Sequence, residues 1–302
     1  MTDLRIGVDL GGTKTEVAVI DALGQFVFRQ RQPTPFQDYA ATLGVIVDLV
    51  HQAEQAVQQS RLPVGVGIPG NLSTQTQCVK NANSTWLNGQ PMAADLSHLL
   101  GRTVPMQNDA NCLALSEATD GAAAGAAVVF AVILGTGCGA GVVAQGQLIG
   151  GANGVAGEWG HNPLPWASSE ALAQRPCFCG RHGCIEQFLS GTGLQQSYQL
   201  AGGGSISVPE LMVRYRADEP LAHQVLAAFF EQLAQALVHV IHVLDPDVIV
   251  LGGGVSQVPE IYQMVPKLLP KWVLGGECYT PIVPAQYGDS SGVRGAAWLN
   301  SL

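Results

Sequence analysis

Short apolar runs that alternate with helical patterns predict an α/β protein. Continuous apolar runs at residues 6–10, 64–68, 130–134 and 248–251 predict buried strands, and the alternating run 15–21 predicts a strand that pairs with the first. Apolar residues at helical spacing predict helices over residues 39–60, 205–216 and 220–243, and a closing helix over 289–302. Strands interleaved with helices in this way are typical of α/β folds.

Two glycine-rich turns follow apolar strands at similar points in the two halves of the chain. The first contains Gly11, Gly12, Thr13 and Lys14, and the second contains Gly135, Thr136 and Gly137. For one such turn alone, a plain hairpin would be the favoured interpretation. Because the strand–turn–strand pattern occurs twice, we interpret it as an internal duplication whose turns hold phosphates with backbone N–H groups and threonine hydroxyls.

Glycines in a third place extend this interpretation to a nucleotide. Gly253 and Gly254 stand between the apolar run 248–251 and a predicted helix, an order that suits a nucleotide near a helix N-terminus. The dinucleotide-binding fingerprint does not explain Gly135 and Gly137, because that fingerprint requires a helix after the turn and a β-branched run follows here.

Two polar stretches have both a structural and a functional interpretation. Residues 80–86 are rich in asparagine and end at Trp86, which suits either a sugar-binding loop or an ordinary asparagine-rich turn. Asp109 stands where a strand meets a helix. A carboxylate there is either the N-cap of the helix or a general base, and the spacing alone favours the cap.

A histidine and three clustered cysteines predict a metal site. His161 precedes Cys177, Cys179 and Cys184, so three of the seven cysteines fall within eight residues. Three cysteines and one histidine form a closed tetrahedral set for structural Zn²⁺, which leaves no position for a metal-bound water. Free reduced thiols are the alternative, and His182 could replace His161 as the fourth ligand.

Composition and charge exclude several classes of protein. The 302 residues are enough for two domains, and the formal net charge is -9 without a basic patch, so nucleic acid and anionic membranes are poor partners. We see no signal-peptide pattern, and no segment approaches the roughly 20 apolar residues of a membrane span. We therefore expect a cytoplasmic protein.

These motifs together resemble the ROK family of sugar kinases and repressors. The resemblance covers nearly the whole chain and rests on residues 9–14, 108–111, 134–137, 158–161, 177–186 and 252–254. It implies an actin-like, hexokinase-type (ribonuclease H-like) duplicated fold with two α/β domains around a cleft. The small domain is expected at residues 1–118 plus 289–302, and the large domain at residues 119–288.

The resemblance also implies a role for each motif. Asp109 would take the proton from the sugar C6 hydroxyl that receives the γ-phosphoryl group of ATP, and Asp9 would lie near Mg²⁺. The two glycine turns would hold phosphates, and Gly253 and Gly254 would flank the adenosine. The residues expected to contact the sugar are Asn83, Asn108, Asp109, Glu158, His161 and Glu186. A homodimer is a further expectation.

The choice of sugar rests on one loop. Residues 80–91 look most like the bacterial fructokinase (mannokinase) branch, so D-fructose is the expected substrate, with N-acetylglucosamine, glucose and mannose as alternatives. A sugar-sensing repressor of the same family is disfavoured, because only about five residues precede the first strand and leave no room for a helix-turn-helix.

Overall fold

The computed structural model describes residues 3–301, which form two five-stranded sheets, one two-stranded sheet and the helices around them. In chain order the strands are β1 (Arg5–Leu10), β2 (Lys14–Ile20), β3 (Phe26–Pro33), β4 (Val64–Ile68), β5 (Asn71–Leu72), β6 (Val79–Lys80), β7 (Met106–Asn108), β8 (Val128–Leu134), β9 (Cys138–Ala144), β10 (Gln147–Leu148), β11 (Val248–Gly252) and β12 (Ile282–Pro284). The α-helices are α1 (Tyr39–Ala56), α2 (Met92–Leu100), α3 (Asp109–Thr119), α4 (Ser169–Ala173), α5 (Glu186–Leu189), α6 (Gly191–Leu200), α7 (Val208–Arg216), α8 (Pro220–Leu244), α9 (Glu260–Trp272) and α10 (Ser291–Trp298).

The two large sheets repeat one topology. The first has the strand order β3-β2-β1-β4-β7, and the second has the order β10-β9-β8-β11-β12. In the first sheet β1, β2 and β3 are antiparallel neighbours, whereas β1, β4 and β7 run parallel. In the second sheet β8, β11 and β12 run parallel, and β9 pairs antiparallel with β10. This repeat confirms the predicted duplicated α/β fold.

By its internal contacts the chain divides into two compact units. The first unit contains residues 1–125, 141–156 and 286–302, and the second contains residues 126–140 and 157–285. Residues 141–156 fall in the first unit, whereas the sequence-based limits assigned them to the large domain. Backbone packing explains the difference, because a Cβ on Gly141 would stand 2.6 Å from the carbonyl oxygen of Ala110. The domain limits themselves stay a prediction.

The last helix completes the first unit. A Cβ on Gly7 of β1 would overlap the carbonyl oxygen of Val293, and a Cβ on Gly65 of β4 would overlap that of Ala296. Helix α10 therefore lies against β1 and β4 at backbone distance, which only glycine permits at these two strand positions. The predicted closing helix is present, with its α-helical part at Ser291–Trp298.

Helix α8 is the core helix of the second unit. Its 25 residues are long and apolar enough to cross a membrane by length and composition, so the expectation that no segment approaches this limit is wrong. The residues Leu226, Phe229, Leu233 and Leu237 recur at helical spacing and are fully or almost fully buried within the unit. That pattern is the one expected for a helix that packs one face on a soluble core.

Candidate active site

Two acidic residues stand at the carboxyl ends of parallel strands in the first sheet. Asp9 lies near the end of β1, and Asp109 follows directly after β7, with β4 between these strands. Ligands of open α/β sheets bind outside the carboxyl ends of the strands. The topology therefore gathers both carboxylates at the edge where a substrate of such a sheet is expected.

Asn108, and not Asp109, is the N-cap of α3. The Asn108 side-chain oxygen accepts a hydrogen bond from the N–H of Ala110 at 2.8 Å, while its backbone is extended. Asp109 is the first helical residue, and its Oδ1 accepts from the same N–H at 2.7 Å. The cap interpretation offered for Asp109 is thus fulfilled by its neighbour, and Asp109 lies at the positive end of the helix dipole.

Burial raises the pKa of Asp9 to about 7, with further contributions from the negative charges of Asp109 and Glu16. The cations of Lys14 and Arg31 act in the opposite direction. A buried carboxylate with a second carboxylate nearby is a good environment for a hard divalent cation, because oxygen ligands and negative charge suit Mg²⁺. The donor set at this sheet edge therefore fits the cation that the resemblance implies.

The first glycine turn is a tight hairpin between β1 and β2. The N–H of Gly11 donates to the carbonyl oxygen of Lys14 at 3.0 Å, and the carbonyl of Gly11 accepts from the Thr34 hydroxyl at 2.8 Å. The Thr13 carbonyl accepts from the Thr34 N–H at 3.0 Å. Thr34, which directly follows β3, thus donates hydrogen bonds to two carbonyl groups of the turn, whereas the side chains of Thr13 and Lys14 are exposed.

The asparagine-rich loop lies beside this hairpin. A Cβ on Gly12 would stand 3.3 Å from the Ser84 hydroxyl, and Asn83 is exposed. Trp86 does not offer an open ring face, because it packs against the core of the first unit and meets the Phe36 ring edge-to-face at 5.4 Å. The structural interpretation of Trp86 is therefore the better one, whereas the sugar-binding role of Asn83 stays a prediction.

The predicted metal ligands come together in the second unit. One ligand atom from each of His161, Cys177, Cys179 and Cys184 lies within 4.8 Å of all the others. Cys177 Sγ is 3.6 Å from His161 Nδ1, and Cys179 Sγ is 3.6 Å from Cys184 Sγ. Zn–S bonds of about 2.3 Å in a tetrahedron place sulfur atoms roughly 3.8 Å apart, so this set fits Zn²⁺. His182 is not one of these four residues.

Three candidate sugar ligands, Glu158, His161 and Glu186, belong to this Cys₃His cluster or lie beside it. Glu158 and His161 lie on one 3-10 helix, Glu158–His161, and Nε2 of His161 is 3.8 Å from Oε2 of Glu158. The His161 ring thus turns Nδ1 toward the cysteines and Nε2 away from them. Glu186 begins α5 two residues after Cys184, and its Oε1 is 3.9 Å from Cys177 Sγ.

A cavity of about 700 Å³ lies in the second unit beside the second glycine turn. Of the predicted nucleotide residues, Gly135, Thr136 and Gly254 line it, whereas Gly137 and Gly253 are not among the lining residues. Gly253 has φ 83°, and a Cβ there would stand 2.6 Å from the Leu134 carbonyl, so it serves the turn itself. A 3-10 helix, Gly254–Gln257, follows it, and the predicted helix is present as α9, which begins at Glu260.

Most of the cavity wall was not predicted. It comes from α6, α7 and the segment after β11, and includes Gln195, Ser207, Val208, Met212, Arg216 and Gln257. These residues lie far apart in the sequence and share no motif, so only the fold brings them together. The mixture of apolar side chains with a few polar groups is typical of a small-molecule pocket.

Comparison with known proteins agrees with these features. The model of the ROK family matches residues 5–301, which is nearly the whole chain. The chain belongs to the ROK family. An N-acetyl-D-glucosamine kinase of Yersinia pseudotuberculosis serotype O:3 (strain YPIII) is 40% identical over 300 residues, which cover 97% of this chain and 98% of the relative.

Solved ROK structures share the fold. The ROK hexokinase of Thermus thermophilus superposes with a TM-score of 0.85 at 28% identity, covering 98% of this chain and 97% of that one. The ROK family glucokinase of Streptomyces griseus, in complex with glucose and AMPPNP, has a TM-score of 0.80 at 26% identity and covers 98% of both chains. These ROK relatives do not support the predicted position next to bacterial fructokinases, since the relative that is 40% identical is named an N-acetyl-D-glucosamine kinase.

Proposed function

We propose that this ROK protein is an ATP-dependent kinase that phosphorylates N-acetyl-D-glucosamine at the C6 hydroxyl. The observation that carries the proposal is the 40% identity, over 97% of the chain, to an N-acetyl-D-glucosamine kinase. D-fructose, which the loop at residues 80–91 suggested, becomes the second candidate.

Asp109 is the proposed general base. It would accept the proton of the C6 hydroxyl while the C6 oxygen forms a bond to the γ-phosphorus and the bond from that phosphorus to the leaving ADP oxygen breaks. The side chain of Asn108, which is fixed by its hydrogen bond to Ala110, would orient the same part of the sugar. Phosphoryl transfer depends on such positioning more than on covalent chemistry from the protein.

The nucleotide would be held mainly by backbone groups. The cavity beside Gly135, Thr136 and Gly254 has the size of a small-molecule site and would take the adenosine. Both glycine turns would bind phosphate oxygens, with Lys14 adding a positive charge. Asp9 would hold Mg²⁺ through water, and the bound cation supplies charge neutralisation on the phosphates.

The Cys₃His cluster would hold a structural Zn²⁺. His161, Cys177, Cys179 and Cys184 are contributed by segments that are up to 23 residues apart, so a bound metal would fix the loop that presents Glu158 and Glu186. With four protein ligands the metal supplies loop order and no activated water. His161 would bind the sugar through Nε2.

A coupled ADP-release assay tests the proposal. Purified protein is assayed with N-acetyl-D-glucosamine, D-fructose, D-mannose and D-glucose, and kcat/KM is compared. We expect N-acetyl-D-glucosamine to have the highest value. A higher value for D-fructose would replace the proposed substrate with the second candidate, and no ADP release with any of the four would refute a hexose kinase. We also propose a cytoplasmic homodimer, which light scattering would detect as twice the mass of one chain.

A further inference from the structure

The carboxylate of Glu186 is hydrogen-bonded to the end of the second glycine turn. The residue is 9% exposed, and its Oε2 accepts a hydrogen bond from the backbone N–H of Cys138 at 2.9 Å. Its Oε1 lies 3.9 Å from the sulfur of Cys177. One carboxylate therefore links the metal cluster with the turn that precedes β9.

The turn is shaped to let this carboxylate approach. A Cβ on Gly137 would stand 2.7 Å from Oε2 of Glu186, closer than real Cβ contacts, and the backbone of Gly137 is not in the left-handed region. On another side a Cβ on Gly160 would overlap the carbonyl oxygen of Cys138. The 3-10 helix with Glu158 and His161 thus also lies directly against the turn.

The residues that follow Glu186 form hydrogen bonds with the remaining part of the same turn. The N–H of Gly191 donates to the carbonyl of Gly135 at 2.7 Å, and the Thr192 hydroxyl donates to the carbonyl of Thr136 at 2.8 Å. Residues 186–192 therefore form hydrogen bonds with three groups of the turn: the carbonyls of Gly135 and Thr136, and the N–H of Cys138. Gly135, Thr136, Gly191 and Thr192 also line the nucleotide cavity.

We propose that Glu186 is a positioning residue that couples sugar binding to nucleotide binding, and this inference rests on the proposed sugar kinase function. A sugar hydroxyl that donates to Glu186 fixes a carboxylate that already holds the Cys138 N–H. The bound sugar thereby orders the turn that carries the nucleotide phosphates. Since coupling between two sites is reciprocal, bound nucleotide increases sugar affinity by the same factor.

A substitution at Gly137 should remove the coupling between the two sites without unfolding the protein. In Gly137→Ala the new methyl group meets only the flexible end of the Glu186 side chain, so the carboxylate moves and the backbone stays. Gly204→Ala, also in the second unit, is the control, because its Cβ would meet open space and Gly204 does not line the nucleotide cavity. Neither position has a positive φ, so alanine suits both backbones.

Calorimetry measures the dissociation constant of AMPPNP with and without a saturating sugar, at equal zinc content. The sugar used is whichever of the four hexoses gives the highest kcat/KM. If the proposed substrate is wrong, another sugar is used and the coupling is still tested. We expect sugar to tighten AMPPNP binding about tenfold in the wild type and in Gly204→Ala, a typical size for coupling between sites. In Gly137→Ala the factor should fall to about 1. A wild-type factor of 1, or an unchanged factor in Gly137→Ala, overturns the proposal.

Substitutions of Glu186 itself provide a second test that needs no sugar. In Glu186→Gln the amide oxygen can still accept from the Cys138 N–H, so AMPPNP affinity should equal that of the wild type, whereas Glu186→Ala should weaken it at least about fivefold. The glutamine variant should still bind sugar less well, because it replaces a carboxylate acceptor. Unchanged AMPPNP affinity in Glu186→Ala would show that Glu186 does not position the turn.

Discussion

Asp9→Asn should make the ligand-free protein more stable and nearly inactive. The pKa of Asp9 is raised from 3.8 to about 7 by burial and by the charges of Asp109 and Glu16. Between these two pKa values the unfolded chain has an ionised Asp9 while the folded chain keeps the proton. The folded state then binds more protons than the unfolded state, so stability falls as the pH rises through this window.

The magnitude follows from the shift. Linkage gives a penalty of about 2 kcal/mol at pH 5 and about 4 kcal/mol at pH 8, where it is nearly complete. These values are upper limits, because Asp9 retains some solvent exposure that screens its charge. Asparagine has no charge to bury, so the variant should gain up to this amount, and the gain should grow with pH.

Thermal unfolding from pH 5 to pH 8, without Mg²⁺ and nucleotide, measures this effect. Asp48→Asn, on the exposed surface of α1 in the same unit, is the control and should show no such trend. Activity of Asp9→Asn should fall at least about 100-fold, because the variant lacks the carboxylate that would hold Mg²⁺. A variant that is less stable than the wild type at pH 8, or a difference that does not shrink toward pH 5, would refute the reasoning.

Four further substitutions test other parts of the molecule. Asp109→Asn should keep sugar affinity by calorimetry and lose at least about 100-fold in kcat, and near-wild-type turnover would remove Asp109 from its role as general base. Cys179→Ser should lower both the zinc content by mass spectrometry and the sugar affinity, whereas full activity at zero zinc would show that the cluster needs no metal. Gly295→Ala places a methyl group on the carbonyl oxygen of Cys112 and should destabilise the protein by about 3 kcal/mol or more in urea unfolding. Gly44→Ala, in a helix interior with open space around the new Cβ, should instead stabilise it by up to about 1 kcal/mol.

The elements that sequence reasoning found are those with a strong local pattern. The strand 64–68 has the predicted limits, and α8 differs from its prediction by one residue at its end. The edge strand β3 was missed, because its residues alternate between partly and fully exposed and pairing with β2 alone defines it. Helix α6 was also missed, since it begins Gly191-Thr192-Gly193 and obtains its helical start from the Ser190 cap.

The candidate site was predictable where the binding residues are close together in the sequence or belong to a repeated motif. The Cys₃His set and both glycine turns met this condition. The cavity wall from α6 and α7 did not, because tertiary packing alone brings its residues together. The choice of fructose relied on a loop whose Trp86 turned out to pack on Phe36 and the core, so part of that loop's composition reflects packing and not sugar recognition.

The position of α10 has a consequence for synthesis of the protein. Strands β1 and β4 are made early, yet α10, the helix that covers Gly7 and Gly65, is made after every other strand and α-helix of residues 3–301. At typical translation rates the first strand waits on the order of 15 to 60 seconds for its covering helix, while residues 157–285 of the second unit are already complete. During that interval the apolar face of the first sheet depends on chaperones or on the growing chain for protection. A nascent chain stopped before residue 291 should therefore be the species most prone to aggregate, although every proposed ligand-binding residue is already present in it.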